Sequence, residues 1–346
     1  MLAGDGIRRE ERGLMFEVVA RGEGPLFMDP DADKARAFFR TKDHSLRNKV
    51  MTVKEAVEKF VHDGEYVAIG GFGSNRLPTS VCHEIMRQRK KNLTLAGHTA
   101  THDFQIMSAG KVFKRCDVAY VIGLEARGLS PGARRYLESG EVELCEWSNY
   151  AMALRFKAAG MGVSFLPGRN MLGSDTFKYS AAVAVKCVFT GKQYCLYPAL
   201  WPDVAMIHVH AADVNGNCQV KGISIADFEL ARAAKHLIIT CERLIPEDWI
   251  RADPNQTVIP HYCVDAVCEV PYGSFPGNMA LEYYSDEEHL RLWLNTEKDP
   301  AAVPAFLDKY IYGTKDFNEY LQLCGGLARM TALRAQEHMI TIPGAR

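Results

Sequence analysis

The chain of 346 residues reads as an α/β protein, with a mainly parallel sheet flanked by helices and a helical section at the C-terminal end. Two patterns predict this. Short apolar runs rich in β-branched residues, such as YVAIGG, LTLAGH and HLIITCE, have strand length and little polar alternation, as strands buried on both faces do. Between them lie segments with apolar residues at helical spacing, and strand–helix alternation is how parallel strands are connected.

Residues 1–47 form a charged N-terminal extension. Within it DPDADKARAFFRTKDHSLRNK makes one amphipathic helix with Phe38 and Phe39 on its apolar side, read as a surface arm or a partner contact. The main domain spans 48–346. Thr52 caps its first helix and Glu55 completes a capping box. Val53, Ala56, Val57 and Phe60 then recur at helical spacing, and Asp63-Gly64 stops the helix. YVAIGG is a buried strand. Pro78 opens the next helix, PTSVCHEIMRQRKK, whose basic end suits the helix dipole. LTLAGH and VAYVIG are strands, PGARRYLESG a helix, VELCEW extended, YAMALRFKAAGMG a helix and VSFLPG a strand. After a freer stretch come DVAMIHVHAAD, the turn NGN with Asp213 before it, and the strand CQVKG. IADFELARAAK is helical, HLIITCE a strand, and VDAVCEVPYGSFPG a last strand running into a Gly/Pro loop. From about residue 285 the pattern is helices and loops.

Lys and Arg total 41 against 42 Asp and Glu, a net charge of -1, which argues against coating nucleic acid through many phosphate contacts. The 10 cysteines are scattered singly with none at C-x-x-C spacing, as free thiols in a reducing compartment are. The first residues carry charges where a signal peptide has an apolar core, and no run approaches the roughly 20 apolar residues of a membrane helix. The expectation is a cytoplasmic protein without a membrane partner.

The stretch GEYVAIGGFGSNRLP places glycines and an arginine where a strand turns into a helix. Glycine lets a ligand approach the main chain. A helix start offers unpaired N–H groups to an anion, and Arg76 adds a planar fork that fits a carboxylate or phosphate. The turn matches neither the Walker loop nor G-x-G-x-x-G. The two readings are an anion pocket built from Gly70, Gly71, Phe72, Gly73, Ser74, Asn75 and Arg76, or simply a tight strand-to-helix turn.

The segment VMTVKEAVEKFVHDGEYVAIGGFGSNRLPTSVCHEIMRQ resembles the opening of the A (alpha) subunit of family I CoA-transferases, within them the glutaconate type. The likeness returns at DVAMIHVHAADVNGNCQVKG and at IADFELARAAKHLIITCERLIPEDWIRADPNQTVIPHYCVDAVCEVPYGSFPG, covering roughly residues 48–290. It implies the NagB/RpiA/CoA-transferase-like fold and a heteromer, tetramer or octamer, with a B subunit. It also implies ping-pong transfer of CoA between an acyl-CoA and a (di)carboxylic acid through a glutamyl-CoA thioester. The nucleophilic glutamate belongs to the B subunit in that family. This chain has no Ser-Glu-Asn-Gly segment, and LESGE around Glu138 reads as a helix end. The resemblance assigns residues 70–76 to the carboxylate pocket, with CoA as substrate and no permanently bound cofactor or metal. Ser74 and Asn75 replace other small polar residues of the glutaconate type, which leaves the acid open.

Other candidates stand beside this site. GHTATHD departs from the family's glycine-rich loop, and its His98 is a candidate acid/base or donor to a substrate carbonyl. Glu125, after the strand VAYVIG, is a candidate general base that would suit a CoA-ester hydrolase, decarboxylase or ring-opening lyase on the same fold. The alternatives are His98 as a loop histidine, Glu125 as a solvated carboxylate, and the whole chain in a structural, non-catalytic role beside its partner. His208 and His210 share a strand face but lack an evident third metal ligand, and Asp265 reads as buried and paired.

Overall fold

A computed structural model describes residues 16–121, 123 and 127–339. Its core is a parallel sheet. β2 (Tyr66–Ile69) pairs with β3 (Leu93–Thr99), β3 with β4 (Phe113–Tyr120), and β4 with β5 (Glu143–Glu146). On its other edge β2 pairs with β9 (Val204–Ala212), which pairs with β11 (His236–Leu244) and then β13 (Ala266–Glu269). The chain therefore lays β2 to β5 outward in one direction, returns to the middle, and builds the remainder in the other direction. Reversal of strand order opens a crevice at the carboxyl ends of the two central strands. Here those strands are β2 and β9, and the glycine turn follows β2. Short antiparallel strands β10 (Cys218–Gln219) and β12 (Thr257–Ile259) extend the sheet beyond the end of β2.

Alternation along the strands feeds two apolar layers. Val67 and Ile69 of β2 join the cluster under α2 (Val53–Phe60), α3 (Thr79–Arg87), α4 (His102–Ala109) and α5 (Pro131–Glu138). Tyr66 and Ala68 join the opposite cluster, with α1 (Ala32–Phe39), α6 (Asn149–Met161) and α8 (Asp227–Ala233). The helical section α10 (Glu287–Thr296), α11 (Val303–Leu307), α12 (Phe317–Leu323) and α13 (Gly326–Met339) packs on the first layer through Trp293, Phe306, Tyr320 and Leu333. The capping box at the start of α2 forms as read, with the Glu55 side chain accepting from the Thr52 N–H at 2.8 Å. Beneath β4 the Asp117 carboxylate accepts hydrogen bonds from Tyr66 Oη and from Trp147 Nε1 at 2.6 Å and forms an ion pair with Arg155 at 2.9 Å, a fully buried polar centre.

Three readings change. VSFLPG does not rejoin the parallel sheet; its β6 (Phe165–Gly168) pairs antiparallel with β8 (Gln193–Pro198). β8 pairs with β7 (Val183–Lys186), and β7 with β1 (Val18–Arg21), forming a second, antiparallel sheet from what reads as a freer stretch. The hairpin signal there is Thr190-Gly191, with Gly191 at φ 69°. Second, the leading segment has internal contacts that a free arm lacks. β1 completes the small sheet, and Lys42 Nζ lies 2.8 Å from Asp265 and 2.9 Å from the carbonyls of Lys235 and Cys263. Asp265 is thus the buried, paired carboxylate its apolar flanks suggest. Burial pushes its carboxyl up, and bonds with His236 and Lys42 outweigh that and hold it below its ordinary value. Third, His102 and Asp103 are not loop residues. They open α4, where Asp103 Oδ1 accepts from the Thr101 N–H at 2.7 Å. Short α7 (Asp175–Lys178) and α9 (Glu247–Ala252) lie in connections. No helix among the described residues is long and apolar enough to cross a membrane.

Candidate active site

Residues 70–76 lie at the switch point, where Gly70 N donates to Met206 O of β9 at 2.9 Å. An anion does approach the glycines, and it comes from the protein itself. Asp227, the first residue of α8, accepts the Gly71 N–H on Oδ1 at 2.8 Å. Its Oδ2 pairs with Arg76 Nη1. A Cβ on Gly70 would stand 2.8 Å from the same Oδ1, so the carboxylate requires glycine there. Gly71 sits at φ 90°, where a Cβ would meet Arg76 O at 2.7 Å.

This corrects the reading of Arg76 as an open cation. Its side chain is 0% exposed, against 3% for Asp227, and Nη2 donates to Ile223 O at 2.8 Å. No anion reaches a guanidinium so enclosed. Arg76 instead holds the turn, and at φ 59° it occupies the left-handed region that costs a non-glycine residue roughly 1–2 kcal/mol.

The amides of the turn are also engaged. Phe72 N donates to Asn75 O at 2.9 Å, Gly73 N to Thr99 O at 2.8 Å, Asn75 N to Phe72 O at 2.9 Å and Arg76 N to Asn278 O at 2.9 Å. The start of α3 is covered as well, with Leu77 N on Ser274 Oγ at 2.8 Å and Ser80 N on Gly273 O at 3.3 Å. The Ser74 N–H alone in the turn has no acceptor among the described residues. Ser74 and Phe72 are partly exposed, and Asn75 is held by Asn278 Nδ2 and Ala280 N at 3.2 Å each. The surface this turn offers is therefore Phe72 and Ser74, with Gly70, Gly71, Gly73, Asn75 and Arg76 forming its frame.

His98, at the end of β3, joins this surface. Its ring centroid is 6.3 Å from that of Phe72. Nδ1 lies 3.0 Å from Thr99 Oγ1, which accepts from Asn149 Nδ2 at 3.0 Å. Burial holds the imidazole below its ordinary pKa, against opposing pulls from the Asp227 carboxylate and a bond between the ring and the Asn149 main chain. Arg127 Nη2 reaches Ser74 Oγ at 3.3 Å while pairing with Glu287 at 2.6 Å, a contact the sequence reading missed because α10 lies so far along the chain. One strand further, an apolar hollow of about 530 Å³ opens at the carboxyl ends of β4 and β5, lined in part by Val118, Leu129, Leu144 and Trp147. Glu125 lies outside the described residues.

The HVH pair makes no metal pair. His208 Nε2 meets Glu242 at 2.7 Å and Nδ1 meets Thr240 Oγ1 at 2.8 Å, while His210 sits between Ala280 O and the Lys221 N–H at 2.8 and 3.1 Å. Both belong to the packing that ties segment 272–285 over the switch point. Glu138 ends α5 and pairs with Arg134 at 2.8 Å.

Residues 50–270 match the model of the coenzyme A transferase family. The chain is 31% identical to the alpha subunit of glutaconate CoA-transferase from Acidaminococcus fermentans, over 80% of this chain and 92% of that one. It is 34% identical to the alpha subunit of 3-oxoadipate CoA-transferase from Pseudomonas knackmussii, over 79% and 96%. An uncharacterized protein of Archaeoglobus fulgidus is 46% identical over 94% of this chain and 73% of its own length. The crystal structure of the Acidaminococcus fermentans glutaconate enzyme superposes with a TM-score of 0.80 at 30% identity, covering 86% of this chain and 96% of that chain.

Proposed function

The chain belongs to the coenzyme A transferase family, as an alpha-type member of family I, and from that premise we propose that it forms half of a transfer site whose other half, with the nucleophilic glutamate, lies on a B-type partner. The carrying observation is the partly exposed surface of Phe72 and Ser74 at the switch point, with the buried His98 ring beside Phe72 and the hollow one strand further along the sheet.

The chemistry balances without cofactor or metal. The partner's glutamate carboxylate attacks the acyl carbonyl of the acyl-CoA, forming a mixed anhydride and expelling CoA thiolate. The thiolate attacks the glutamyl carbonyl, which releases the first acid and leaves a glutamyl-CoA thioester. A second acid attacks that thioester, and the returning thiolate takes the acyl group from the new anhydride. Each step exchanges one activated carboxyl for another, so little free energy is lost if water stays out. This chain supplies the acid-side wall. The Ser74 N–H and a ring N–H of His98 are the donors suited to a carboxylate or to the oxyanion of the tetrahedral intermediate, and the hollow suits the acyl chain.

The test is CoA exchange by this chain co-expressed with the polypeptide encoded beside its gene. A panel of mono- and dicarboxylic acids is offered with acetyl-CoA and glutaryl-CoA. Exchange with at least one acid, lost in His98→Ala, is expected; hydrolysis without exchange, lost in Glu125→Gln, would replace the transferase by a hydrolase.

A further inference from the structure

Arg76 is enclosed, so a substrate anion that needs a cation at the switch point must find another, and Arg127 stands there. Its place is set from both sides. Gly123 and Gly128 approach so closely that a Cβ on Gly123 would stand 2.8 Å from Gly128 O. On the other side Ser130 caps α5, its Oγ accepting the Ala133 N–H at 3.0 Å and donating to Glu297 at 2.6 Å. The short segment between joins the two parts of the site. Leu129 lines the apolar hollow, and Arg127 Nη2 reaches Ser74 Oγ at 3.3 Å.

The guanidinium has donors to spare. Nε and Nη2 hold the Glu287 carboxylate at 2.8 and 2.6 Å, and Nη2 also lies 3.4 Å from Ser285 Oγ. The two N–H groups of Nη1 have no acceptor among the described residues. The pair is also open to solvent, with the Arg127 side chain 20% exposed and that of Glu287 38%, against 0% for Arg76. Ion pairs at the surface are weakly held, so Glu287 can share this cation with a ligand at small cost.

We propose that Arg127 binds a second, non-reacting carboxylate of the acid through Nη1, and so makes the site select dicarboxylic over monocarboxylic acids. The inference rests on the reading that this surface faces the substrate. A permanent positive charge is a poor partner for the reacting carboxylate, because it would stabilise the ground state and blunt the attack on the thioester. A remote carboxylate gains a charge-assisted hydrogen bond without that penalty, and the bond orients the chain that carries the reacting group.

The experiment compares kcat/KM of the co-expressed pair for glutarate and adipate with kcat/KM for pentanoate and hexanoate, the monoacids of equal length, with acetyl-CoA as donor. Arg127→Gln is expected to lower the diacid-to-monoacid ratio by roughly ten- to a hundredfold, the size of a hydrogen bond to a charged group. Glu287→Gln keeps the side chain's shape and removes the competing charge, and it is expected to raise the ratio. If Arg127 only braced its loop, both substitutions would break the same ion pair and lower exchange with both kinds of acid alike, which would overturn the proposal. A raised KM for acetyl-CoA with an unchanged acid ratio would put a CoA phosphate on Arg127 and overturn it as well. Equilibrium dialysis of radiolabelled glutarate and adipate against the pair, without acyl-CoA, reads binding apart from turnover. Retention by the parent that is lost in Arg127→Gln upholds the proposal even in a pair without exchange activity, where the transferase reading alone fails. A parent that neither turns over nor retains either diacid overturns the proposal.

Discussion

At the scale of single residues, the decisive feature is the buried pair of Arg76 and Asp227. A charge pair taken wholly from water costs solvation energy that is recovered only while both partners remain. Arg76→Ala is therefore expected to destabilise the chain by about 3–5 kcal/mol, since it strands the Asp227 carboxylate against the Gly71 N–H alone. The double variant Arg76→Met, Asp227→Leu is expected to lose less than the sum of the single changes. Urea unfolding in a double-mutant cycle measures both, and strictly additive losses would show that the pair is not coupled. The sequence offered an anion beside Gly70 and Gly71 as one of two readings, the other being a plain tight turn, because glycines and an arginine fork serve that purpose. It did not show whose anion, because Asp227 lies 151 positions away and looks like any acidic residue in a helix's first turn.

At the scale of elements, the helical C-terminal section is bound to the sheet layer through histidines kept neutral by burial. His102 on α4 is pushed down to about 3 and His289 on α10 to about 4, and their rings stand 6.5 Å apart. In the unfolded chain each binds a proton near pH 6.5. Between that pH and the lowered native values the unfolded state holds more protons, so this contribution to stability falls as pH drops. Burial acts oppositely on Asp103 and Glu297, raised to about 7, whose contribution is lost as pH rises toward that value. The His102→Gln variant is thus expected to lose less stability than the parent between pH 6.5 and 4.5, by on the order of 2 kcal/mol, in urea melts at the two pH values. Equal losses would mean that His102 is protonated in the fold. The elements that position the site were legible where capping and periodicity agree, as in α2 and β2. α4 was not, because Thr, His and Asp are loop formers locally and become helical here through the Thr101 N–H on Asp103 and Thr101 Oγ1 on Gly73 O at 2.6 Å. The antiparallel sheet escaped for a different reason. Its strands are short, and β1 is exposed along its whole length, so alternation carries no signal.

At the scale of the whole molecule, the strand order places the glycine turn at the reversal point between β2 and β9, and everything that meets there comes from distant segments. Segment 272–285 crosses the turn, α8 supplies Asp227, and α6 supplies Asn149. The parallel sheet was readable as a class, but its order was not, since periodicity says nothing about which strand returns to the middle. On the proposed reading this chain brings donors to an acid-side wall and the nucleophile comes from a second polypeptide. The most direct measurement is to incubate the co-expressed pair with acyl-CoA in the absence of acceptor acid, trap the thioester with borohydride, and locate the modification by mass spectrometry. The account predicts a reduced glutamate on the partner and none on this chain. A modified residue on this chain, or full turnover by this chain alone, would contradict it.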